Sequence, residues 1–432
     1  MKKKINEGIR VGFLLRMYPR FSQTFVVNEI RELERQGLEV HIASMRLPDE
    51  GMFHESVTQV RAKADYLEQR FVGSVISHLA AQWKLFRAAP RRFRSAIGLV
   101  MKHRSIALYE LCQAAELIRW ARKRRISHVH VHFGTDEANV ALLASMLGGP
   151  SYSLTLHAFD IFRDNVDRVL LAKKINGSRF TVTVCESNRR FILENIPKVD
   201  PAKVRVNYNG IDMDEFAPGD EDREAMSVFS VGRLIEKKGF SFLIRAVALL
   251  RDRGLKIACR IAGEGRELKA LQEQIRSLGL RDHVSLVGAM RQDEVRSAMQ
   301  RAACFVLPCV QAKDGNVDAL PTVLLEALAC GCPTVSTILS GIPEIIENDV
   351  SGMLVEVESV ERLASAMESI LTNPDFAMRL SEGGRRRAVQ RFDVSKNEAV
   401  MRRWLVAEAG GISTPGDGTS SEADGKRISE AA

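Results

Sequence analysis

Short apolar runs alternate with segments of helical periodicity along most of the chain. The runs are rich in β-branched residues and are bounded by polar or glycine-containing turns, which is the pattern of buried β-strands. Strands that alternate with helices predict parallel sheets and therefore an α/β fold. The predicted strands are VGFLLRM, VHIASM, HVHVHF, YSLTLH, FTVTVC and VRVNYN in the first half, and SVFSVG, KIACRIAG, HVSLVG, CFVLPC, PTVST and GMLVE in the second.

A polar stretch, DMDEFAPGDEDREA, separates the two sets of strands and has the composition of a linker. We therefore expect two doubly wound, Rossmann-like domains of similar size, an amino-terminal one at residues 1–215 and a carboxy-terminal one at 216–388. A helix at 389–409 is expected to pack back toward the first domain. Residues 410–432 lack apolar periodicity, which predicts a disordered tail.

The composition is that of an ordinary globular protein. The chain has 432 residues, of which 45% are hydrophobic and 27% charged, and no apolar run is long enough to predict a membrane-spanning helix. Arg16 interrupts the first apolar run, which makes the start of the chain a poor secretory signal. The seven cysteines form no C-x-x-C pair, so we interpret them as reduced thiols of a cytoplasmic protein.

The positive charge is concentrated in residues 82–125. This segment holds twelve lysines and arginines and two glutamates, a net charge of +10, whereas the whole chain is only +8. It also contains Trp83, Phe86, Phe93 and Trp120, and such a basic, apolar segment suits the anionic inner face of the plasma membrane. Helices with a solvated basic face explain the same composition. No sequence motif supports a nucleic-acid partner.

Most of the unusual polar and glycine-rich clusters follow a predicted strand, where ligands of open α/β sheets bind. SVGRLIEKKGF places Arg233 and Lys238 in one loop beside Gly232. Two fixed cations next to glycine suit a diphosphate, because the guanidinium offers a forked contact and glycine lets the backbone approach. Gly263, in GEGRELKAL, precedes a helix whose free amides can bind an anion. A solvated loop explains either motif taken alone.

The segment DALPTVLLEALA carries two acids where an apolar helix is predicted. Pro321 suits the first turn of that helix, whose partly positive amino terminus would point into the cleft between the domains. Asp318 precedes the helix and Glu326 lies inside it. A carboxylate among leucines is costly unless it has partners, which hydroxyl groups of a sugar or ribose would provide. An exposed position on one helical face is the alternative.

These motifs in this order resemble the family 4 glycosyltransferases. DALPTVLLEALACGCPTVST, GRLIEKKGF, IAGEGRELKAL, SGIPEII and NGID are similar to the retaining members with a GT-B fold. YPRFSQTFVVNEI, HVHFGTDEANVALLAS and LTLHAFDIF resemble the branch that builds bacterial exopolysaccharide, including colanic-acid-type enzymes. The likeness covers residues 10 to 405.

The resemblance implies a role for individual residues. Arg233 and Lys238 match the pair that neutralises the donor diphosphate, and Glu326 the acid that binds the nucleotide ribose. His157 matches a histidine near the reacting centre, and these four form the predicted catalytic set. The predicted donor-binding residues are Asp318, which would contact sugar hydroxyls, together with Ala319, Leu320, Pro321, Thr322, Gly232, Gly263 and Gly210. Candidates for the acceptor side of the cleft are Ser22, Thr24, His132 and Asp160.

Two departures from the family pattern affect the donor site. The family usually has Glu where Asp318 stands and Gly where Ala319 stands, so contact with the donor sugar is less secure than contact with the ribose. The first loop has RFSQTF in place of a glycine pair, and Ser22 and Thr24 either donate to a ligand or cap the next helix. His128, His130 and His132 share one strand face, but neighbours on a strand rarely converge on one ion, so no metal site is predicted.

The implied reaction moves a sugar from a nucleotide-diphosphate sugar, UDP- or GDP-linked, to a hydroxyl of an acceptor, with retention of configuration. The expected acceptor is a lipid-linked saccharide at the inner membrane face, and no cofactor is needed. Retention by two displacements requires a nucleophilic carboxylate, and none is evident, so a same-face route is implied. A sugar-nucleotide epimerase and a non-catalytic, membrane-associated partner with the same fold are the alternatives.

Overall fold

The computed structural model describes residues 9–20, 24–48, 55–67 and 75–410. Its strands form two separate sheets in which every pair of neighbours is parallel. The first sheet has the order β3-β2-β1-β4-β5-β6-β7 and the second β10-β9-β8-β11-β12-β13. The strands are β1 (Arg10–Met17), β2 (Glu39–Arg46), β3 (Ala64–Tyr66), β4 (His128–His132), β5 (Ser151–Leu156), β6 (Thr181–Thr183), β7 (Val204–Val206), β8 (Glu224–Val231), β9 (Ala258–Ala262), β10 (Val284–Gly288), β11 (Ala302–Leu307), β12 (Thr334–Thr337) and β13 (Met353–Val355).

Helices connect the strands and cover both faces of each sheet, so the predicted α/β class with two Rossmann-like sheets is confirmed. The helices of the first half are α1 (Thr24–Arg35), α2 (Val75–Ala88), α3 (Pro90–Lys102), α4 (Leu108–Arg124), α5 (Asp136–Met146), α6 (Ala158–Ile161), α7 (Arg168–Gly177) and α8 (Glu186–Asn195). Those of the second half are α9 (Phe240–Asp252), α10 (Leu268–Ser277), α11 (Gln292–Arg301), α12 (Thr322–Ala329), α13 (Ile342–Ile345), α14 (Val360–Thr372), α15 (Pro374–Arg391) and α16 (Val394–Ala409).

Each of the twelve predicted apolar runs contains a strand, and β3 is an addition. It has only three residues, all half-buried, at the edge of its sheet, so it carries no apolar run that a sequence pattern could detect. Central strands are buried on both faces. On β1, Phe13 packs into the core beneath α1 and α16, while Leu14 packs into the core on the opposite face. Continuous apolar runs are therefore the correct signal for these strands.

The chain crosses between the two domains twice, and the crossings touch. The backbone amide of Ile211 donates to Phe392 at 2.8 Å, and that of Val394 donates back to Ile211 at 3.0 Å. Beyond this point α16 packs against α1, β1 and β4 of the first domain. The described residues include Gly410 of the predicted tail, and residues 411–432 lie outside them.

The basic segment spans the second half of α2 together with α3 and α4. Of its aromatic residues Trp83 is 60% exposed, whereas Trp120 is buried and donates its indole N–H to Asp65 at 2.7 Å. Phe86 and Phe93 are half-buried and pack edge to face. The four aromatic residues thus do not share one surface. No helix in the described part of the chain is long and apolar enough to cross a membrane.

Candidate active site

A cleft separates the carboxyl ends of the two sheets and encloses a cavity of about 630 Å³. Residues from both domains line it, as expected for open α/β sheets that face each other. Nine predicted site residues are in this lining: His157, Arg233, Lys238, Asp318, Ala319, Leu320, Pro321, Thr322 and Glu326.

The loop after β8 brings two cations to the cavity. Arg233 is exposed, and Lys238 ends a 3-10 turn at Glu236–Lys238, where the amide of Gly239, in the left-handed conformation, donates to the carbonyl of Glu236. A Cβ on Gly239 would lie 1.8 Å from the carbonyl oxygen of Pro308, so this position needs glycine. Arg233, in the loop before the turn, and Lys238, at its end, both line the cavity, where a diphosphate would meet two positive charges.

Gly232 and Gly263 lie behind these cations and join the loops after β8 and β9. A Cβ on Gly263, whose φ is +132°, would meet the carbonyl oxygen of Gly232 at 1.9 Å. The amide of Gly232 donates to Ala262 at 3.0 Å, and the amide of Gly263 donates to Gly288 at 2.7 Å. Neither glycine is among the residues that line the cavity, so their observed role is close packing of the two loops.

Asp318 is paired with two lysines rather than left open to a ligand. Its two carboxylate oxygens lie 2.6 Å from Nζ of Lys237 and 2.5 Å from Nζ of Lys238. Burial would raise the pKa of this carboxyl, but the ammonium groups of Lys238 and Lys237 outweigh it and hold the pKa well below its usual range. The predicted contact with sugar hydroxyls would have to compete with both ion pairs.

Glu326 lies on the cavity-facing side of α12, between residues of the helix that are buried. Burial raises the pKa of Glu326 to about 7, and the charge of Glu215 adds to this rise while Lys238 opposes it. The carboxylate is half-buried and faces the cavity, where the hydroxyl groups of a ligand can donate hydrogen bonds to it. This orientation explains why a carboxylate is present in so apolar a helix.

The amino terminus of α12 also reaches the cavity, with Pro321 as its N-cap. Its first amides have no acceptor four residues earlier, which makes this end suitable for an anion. The amide of Gly341 donates to the carbonyl of Ala319 at 3.0 Å and ties this loop to the one after β12. Ala319 is not among the described non-glycine residues with positive φ, so alanine is accommodated here without backbone strain.

His157 faces this wall from the first domain, at the end of β5 and the start of α6. Its ring is 9% exposed and packs between Phe25 and Phe133, with ring centroids at 4.7 and 4.6 Å. Burial and then the neighbouring His132 lower its pKa well below the ordinary value, so the imidazole is neutral.

Asp160 lies behind His157 and not in the cavity lining. Its Oδ2 accepts a 2.6 Å hydrogen bond from the amide of Gly134, and the carboxylate also faces the amide of His157 at 3.3 Å. Burial raises the pKa of Asp160 to about 7, although these backbone donors oppose the rise. Asp160 therefore braces the loops after β4 and β5, and through them the backbone of His157.

The three histidines of β4 have different partners. His128 and His130 bond to hydroxyl groups of Ser151, Ser153 and Thr155 on β5. Nδ1 of His132 lies 3.4 Å from Nε2 of His157. Glu29, His130 and His132 offer ligand atoms within 4.8 Å of one another, a group that could hold a metal ion. The three-histidine arrangement considered from the sequence is not formed, because His128 points to serines.

The remaining predicted residues lie elsewhere. Gly210 packs on α16, where a Cβ would be 2.3 Å from Cα of Val394, and it is absent from the cavity lining. Ser22 lies outside the described residues, and Thr24 begins α1. His132 is 1% exposed and sits one layer below His157.

Sequence reasoning missed several residues of the lining. A signal was present for many of them, because they follow a predicted strand or adjoin a predicted site residue. Lys237 precedes Lys238, for example, and Asn209 precedes Gly210, whereas Arg16 lies inside the first strand. The missed residues include Arg16, Arg20, Phe25, Phe133, Thr135, Glu137, Phe159, Asn209 and Lys237.

Comparison with known proteins supports both halves of this arrangement. Residues 22–215 match the family model described as Glycosyltransferase Family 4, and residues 214–387 match that described as Glycosyl transferases group 1. WcaL of Escherichia coli (strain K12), named for colanic acid biosynthesis as a glycosyltransferase, is 28% identical over 92% of this chain and 99% of its own length. AmsK of Erwinia amylovora, an amylovoran biosynthesis glycosyltransferase, is 35% identical over 42% of each chain.

Among solved structures, that of Anabaena Alr3699/HepE in complex with UDP and glucose is similar over 92% of this chain and 99% of its own. Its TM-score is 0.68 at 17% sequence identity. At that identity the likeness concerns the fold, in which two Rossmann-like domains face a central cleft.

Proposed function

The chain belongs to the family 4 glycosyltransferases and has their GT-B fold, and from that premise we propose its substrates and mechanism. It transfers a sugar from a nucleotide-diphosphate sugar to a hydroxyl of a saccharide acceptor during assembly of an exopolysaccharide. The observation that carries the proposal is one cavity wall where Arg233, Lys238 and the amino terminus of α12 lie beside Glu326. Cations and helix amides suit the diphosphate, and the carboxylate suits the ribose.

The protein assists departure of the nucleoside diphosphate by electrostatic stabilisation. Negative charge develops on the leaving phosphate oxygens as the bond to the anomeric carbon breaks. Lys238 is held before the reaction by the turn that ends at Gly239 and by its ion pair with Asp318, so its charge needs little reorganisation, and Arg233 adds a second positive charge from the loop before the turn. These side chains supply the positive charge, and we propose that the reaction is independent of a metal ion.

Retention of configuration follows a same-face route in this proposal. A double displacement needs a free carboxylate close beneath the anomeric carbon. Both oxygens of Asp318 are engaged by lysines, which makes it a poor nucleophile, and Glu326 is assigned to the ribose. The departing phosphate then accepts the proton of the attacking hydroxyl on the face that it leaves. His157 contacts the sugar from the opposite domain, and domain closure excludes water.

The acceptor is proposed to be a lipid-linked saccharide, and the protein to act at the inner face of the membrane. Trp83, Met101 and Leu108 are at least 60% exposed on or beside the helices of the basic segment. Exposed apolar side chains among lysines and arginines favour an anionic membrane surface. The donor is UDP- or GDP-linked in this proposal, since either base leaves the same diphosphate and ribose contacts.

Calorimetric titration with UDP, GDP and ADP in EDTA tests the donor site, with Glu326→Ala as the comparison. We expect one nucleotide to bind, and the variant to bind it more weakly. Absence of binding to all three would contradict the roles given to Arg233, Lys238 and Glu326. Product analysis by NMR would then report the anomeric configuration, and inversion would exclude the same-face route. Interconversion of the donor without acceptor would instead indicate an epimerase.

A further inference from the structure

Glu29 does not line the cavity, but its side chain lies next to the buried ring of His132. It lies on α1, which covers the same face of the first sheet as the histidines of β4. Its Oε2 is 3.3 Å from Nε2 of His132, and the side chains are 12% and 1% exposed. The approach is close enough for an ion pair but lies off the N–H direction, so a small rotation would align it.

His132 in turn contacts the cavity residue His157. Nδ1 of His132 lies 3.4 Å from Nε2 of His157, and the two rings are stacked with 20° between their planes. Glu29, His132 and His157 therefore form a chain of contacts from the interior of the domain to the cavity. Each link joins a ring nitrogen to the next group, so the proton position on one ring depends on its neighbour.

The carboxylate at the inner end of these contacts decides which ring nitrogen of each histidine carries the proton. An ionised carboxylate only accepts hydrogen bonds, so once a small rotation aligns the pair, Nε2 of His132 carries the proton that points to Glu29. In neutral His132 the other nitrogen, Nδ1, is then an acceptor, and Nε2 of His157 must donate to it. Neutral His157 is left with an unprotonated Nδ1, the nitrogen free to accept a hydrogen bond from a substrate hydroxyl.

The neighbouring histidines are held mainly by hydroxyl groups: Nε2 of His130 lies 3.8 Å from Oε1 of Glu29, farther than its hydroxyl partner, and both ring nitrogens of His128 bond serines. Both ring nitrogens of His130 meet hydroxyl groups, of Ser153 at 2.7 Å and Thr155 at 2.9 Å. A hydroxyl can donate or accept, so these partners satisfy the ring without selecting a tautomer. Glu398 is the other acid near Glu29, and burial followed by the charge of Glu29 raises its pKa well above the ordinary value. The two carboxyl groups are thus close enough for the charge of one to disfavour the charge of the other.

We infer that Glu29 is a positioning residue that acts through His132 to hold His157 with its proton on Nε2, so that Nδ1 accepts a hydroxyl of the bound sugar or acceptor. The inference rests on the proposed function for the identity of the substrate, but the tautomer itself is a property of the free protein. The logic is that of other sites in which a buried carboxylate orients a histidine.

A bound metal is the competing explanation of the same geometry, because Glu29, His130 and His132 could be ligands. The positioning role fits better for one reason. Nε2 of His130 already bonds Thr155 at 2.9 Å, and a metal would have to displace that hydrogen bond.

Histidine tautomers can be read directly from long-range proton–nitrogen NMR spectra of protein labelled with ¹⁵N-histidine, with His157→Gln to assign the signals. In the wild-type protein we expect a protonated Nε2 and an unprotonated Nδ1 on His157. Glu29→Gln should shift the tautomer populations, because an amide can donate as well as accept. Glu34→Gln, a buried acid on the same helix that bonds backbone amides, is the control. A proton on Nδ1 of His157 in the wild type would overturn the inference without any variant.

Kinetics give a second readout. Glu29→Gln should lower kcat at least about tenfold with KM for the donor nearly unchanged, because the nucleotide site lies in the other domain. Glu29→Asp, which keeps the carboxylate, should recover part of the loss. An unchanged kcat and tautomer in Glu29→Gln would overturn the inference, as would a stoichiometric metal in the purified protein that the variant loses. If the wild-type protein binds no nucleotide, the proposed function is contradicted. The tautomer measurement still tests the role of Glu29, because it needs no nucleotide.

Discussion

Oδ2 of Asp318 lies 2.5 Å from Nζ of Lys238, and the other oxygen lies 2.6 Å from Lys237. The acid expected to contact the sugar thus anchors the lysine that is proposed to bind the diphosphate. Aspartate is one methylene shorter than the glutamate usual at this position, and the structure places it within reach of both ammonium groups. Its effect on the donor would then be indirect, through the position of Lys238.

Asp318→Asn should destabilise the protein and weaken donor binding together. Removing one partner of a buried ion pair costs about 3–5 kcal/mol, because the remaining charge is left without compensation. Chemical denaturation measures the free energy of unfolding, and titration with the nucleotide measures affinity. Asp314→Asn, in the same loop but 52% exposed, is the matched control. Full stability combined with selective loss of sugar recognition would show that Asp318 contacts the sugar after all.

Arg233→Ala should weaken binding of the nucleoside diphosphate but not of the nucleoside. A charged hydrogen bond contributes about 1.5–3 kcal/mol, which corresponds to roughly 10- to 150-fold in affinity. Parallel titrations with the diphosphate and the nucleoside separate the two contacts. Arg291→Ala removes an arginine that is 76% exposed and paired with Asp293, and it should bind like wild type. Equal weakening of both ligands by Arg233→Ala would mean that the arginine does not act on phosphate.

Binding of the nucleotide sugar should strengthen as pH rises through about 7, the pKa to which burial raises Glu326. Ribose hydroxyls donate to the ionised carboxylate, which is the minor form below that pH. Affinity should therefore fall about tenfold between pH 8 and pH 6. A nucleotide sugar is the suitable probe because its diphosphate does not titrate in this range. Glu326→Gln should bind more weakly and lose the slope, and a slope that survives in this variant would refute the assignment.

Gly263→Ala should destabilise the donor domain by several kcal/mol, because the new Cβ would meet the carbonyl of Gly232 at 1.9 Å. Gly254→Ala separates this clash from backbone strain, since Gly254 also has positive φ but no atom within 4 Å of its Cβ position. Strain alone costs about 1–2 kcal/mol. The difference between the two free energies of unfolding measures the clash, and equal values would show that the two loops move apart easily.

The protein should sediment with anionic phosphatidylglycerol vesicles at low salt and separate from them at about 0.5 M salt, where charges are screened. Trp83→Ala should weaken the interaction several-fold, because an exposed aromatic side chain contributes apolar area at the surface. Met378→Ala removes a side chain that is 58% exposed in the second domain and serves as the control. Equal binding to neutral phosphatidylcholine vesicles would argue against the basic segment as the contact.

The sequence alone determined every described strand except β3 and the edge of each sheet at which the candidate site lies. Strand patterns and turn residues are local properties, so apolar runs and their bounding glycines identify strands and their carboxyl ends without knowledge of the fold. Arg233, Lys238 and Glu326 were predicted this way, and the structure brings them to one cavity with His157. Ligand sites at the carboxyl ends of parallel strands follow from the topology, which the same patterns predict.

Only the tertiary structure decided which charged groups meet. The contact of Glu29 with His132 joins residues about a hundred positions apart, and that of Asp318 with Lys237 joins different loops. Gly210 likewise proved to pack on Val394, because the returning α16 passes there. Such contacts depend on how helices and loops pack over the sheets, and no periodicity along the chain encodes them. Burial then sets the pKa values of these groups, which only the packed interior can do.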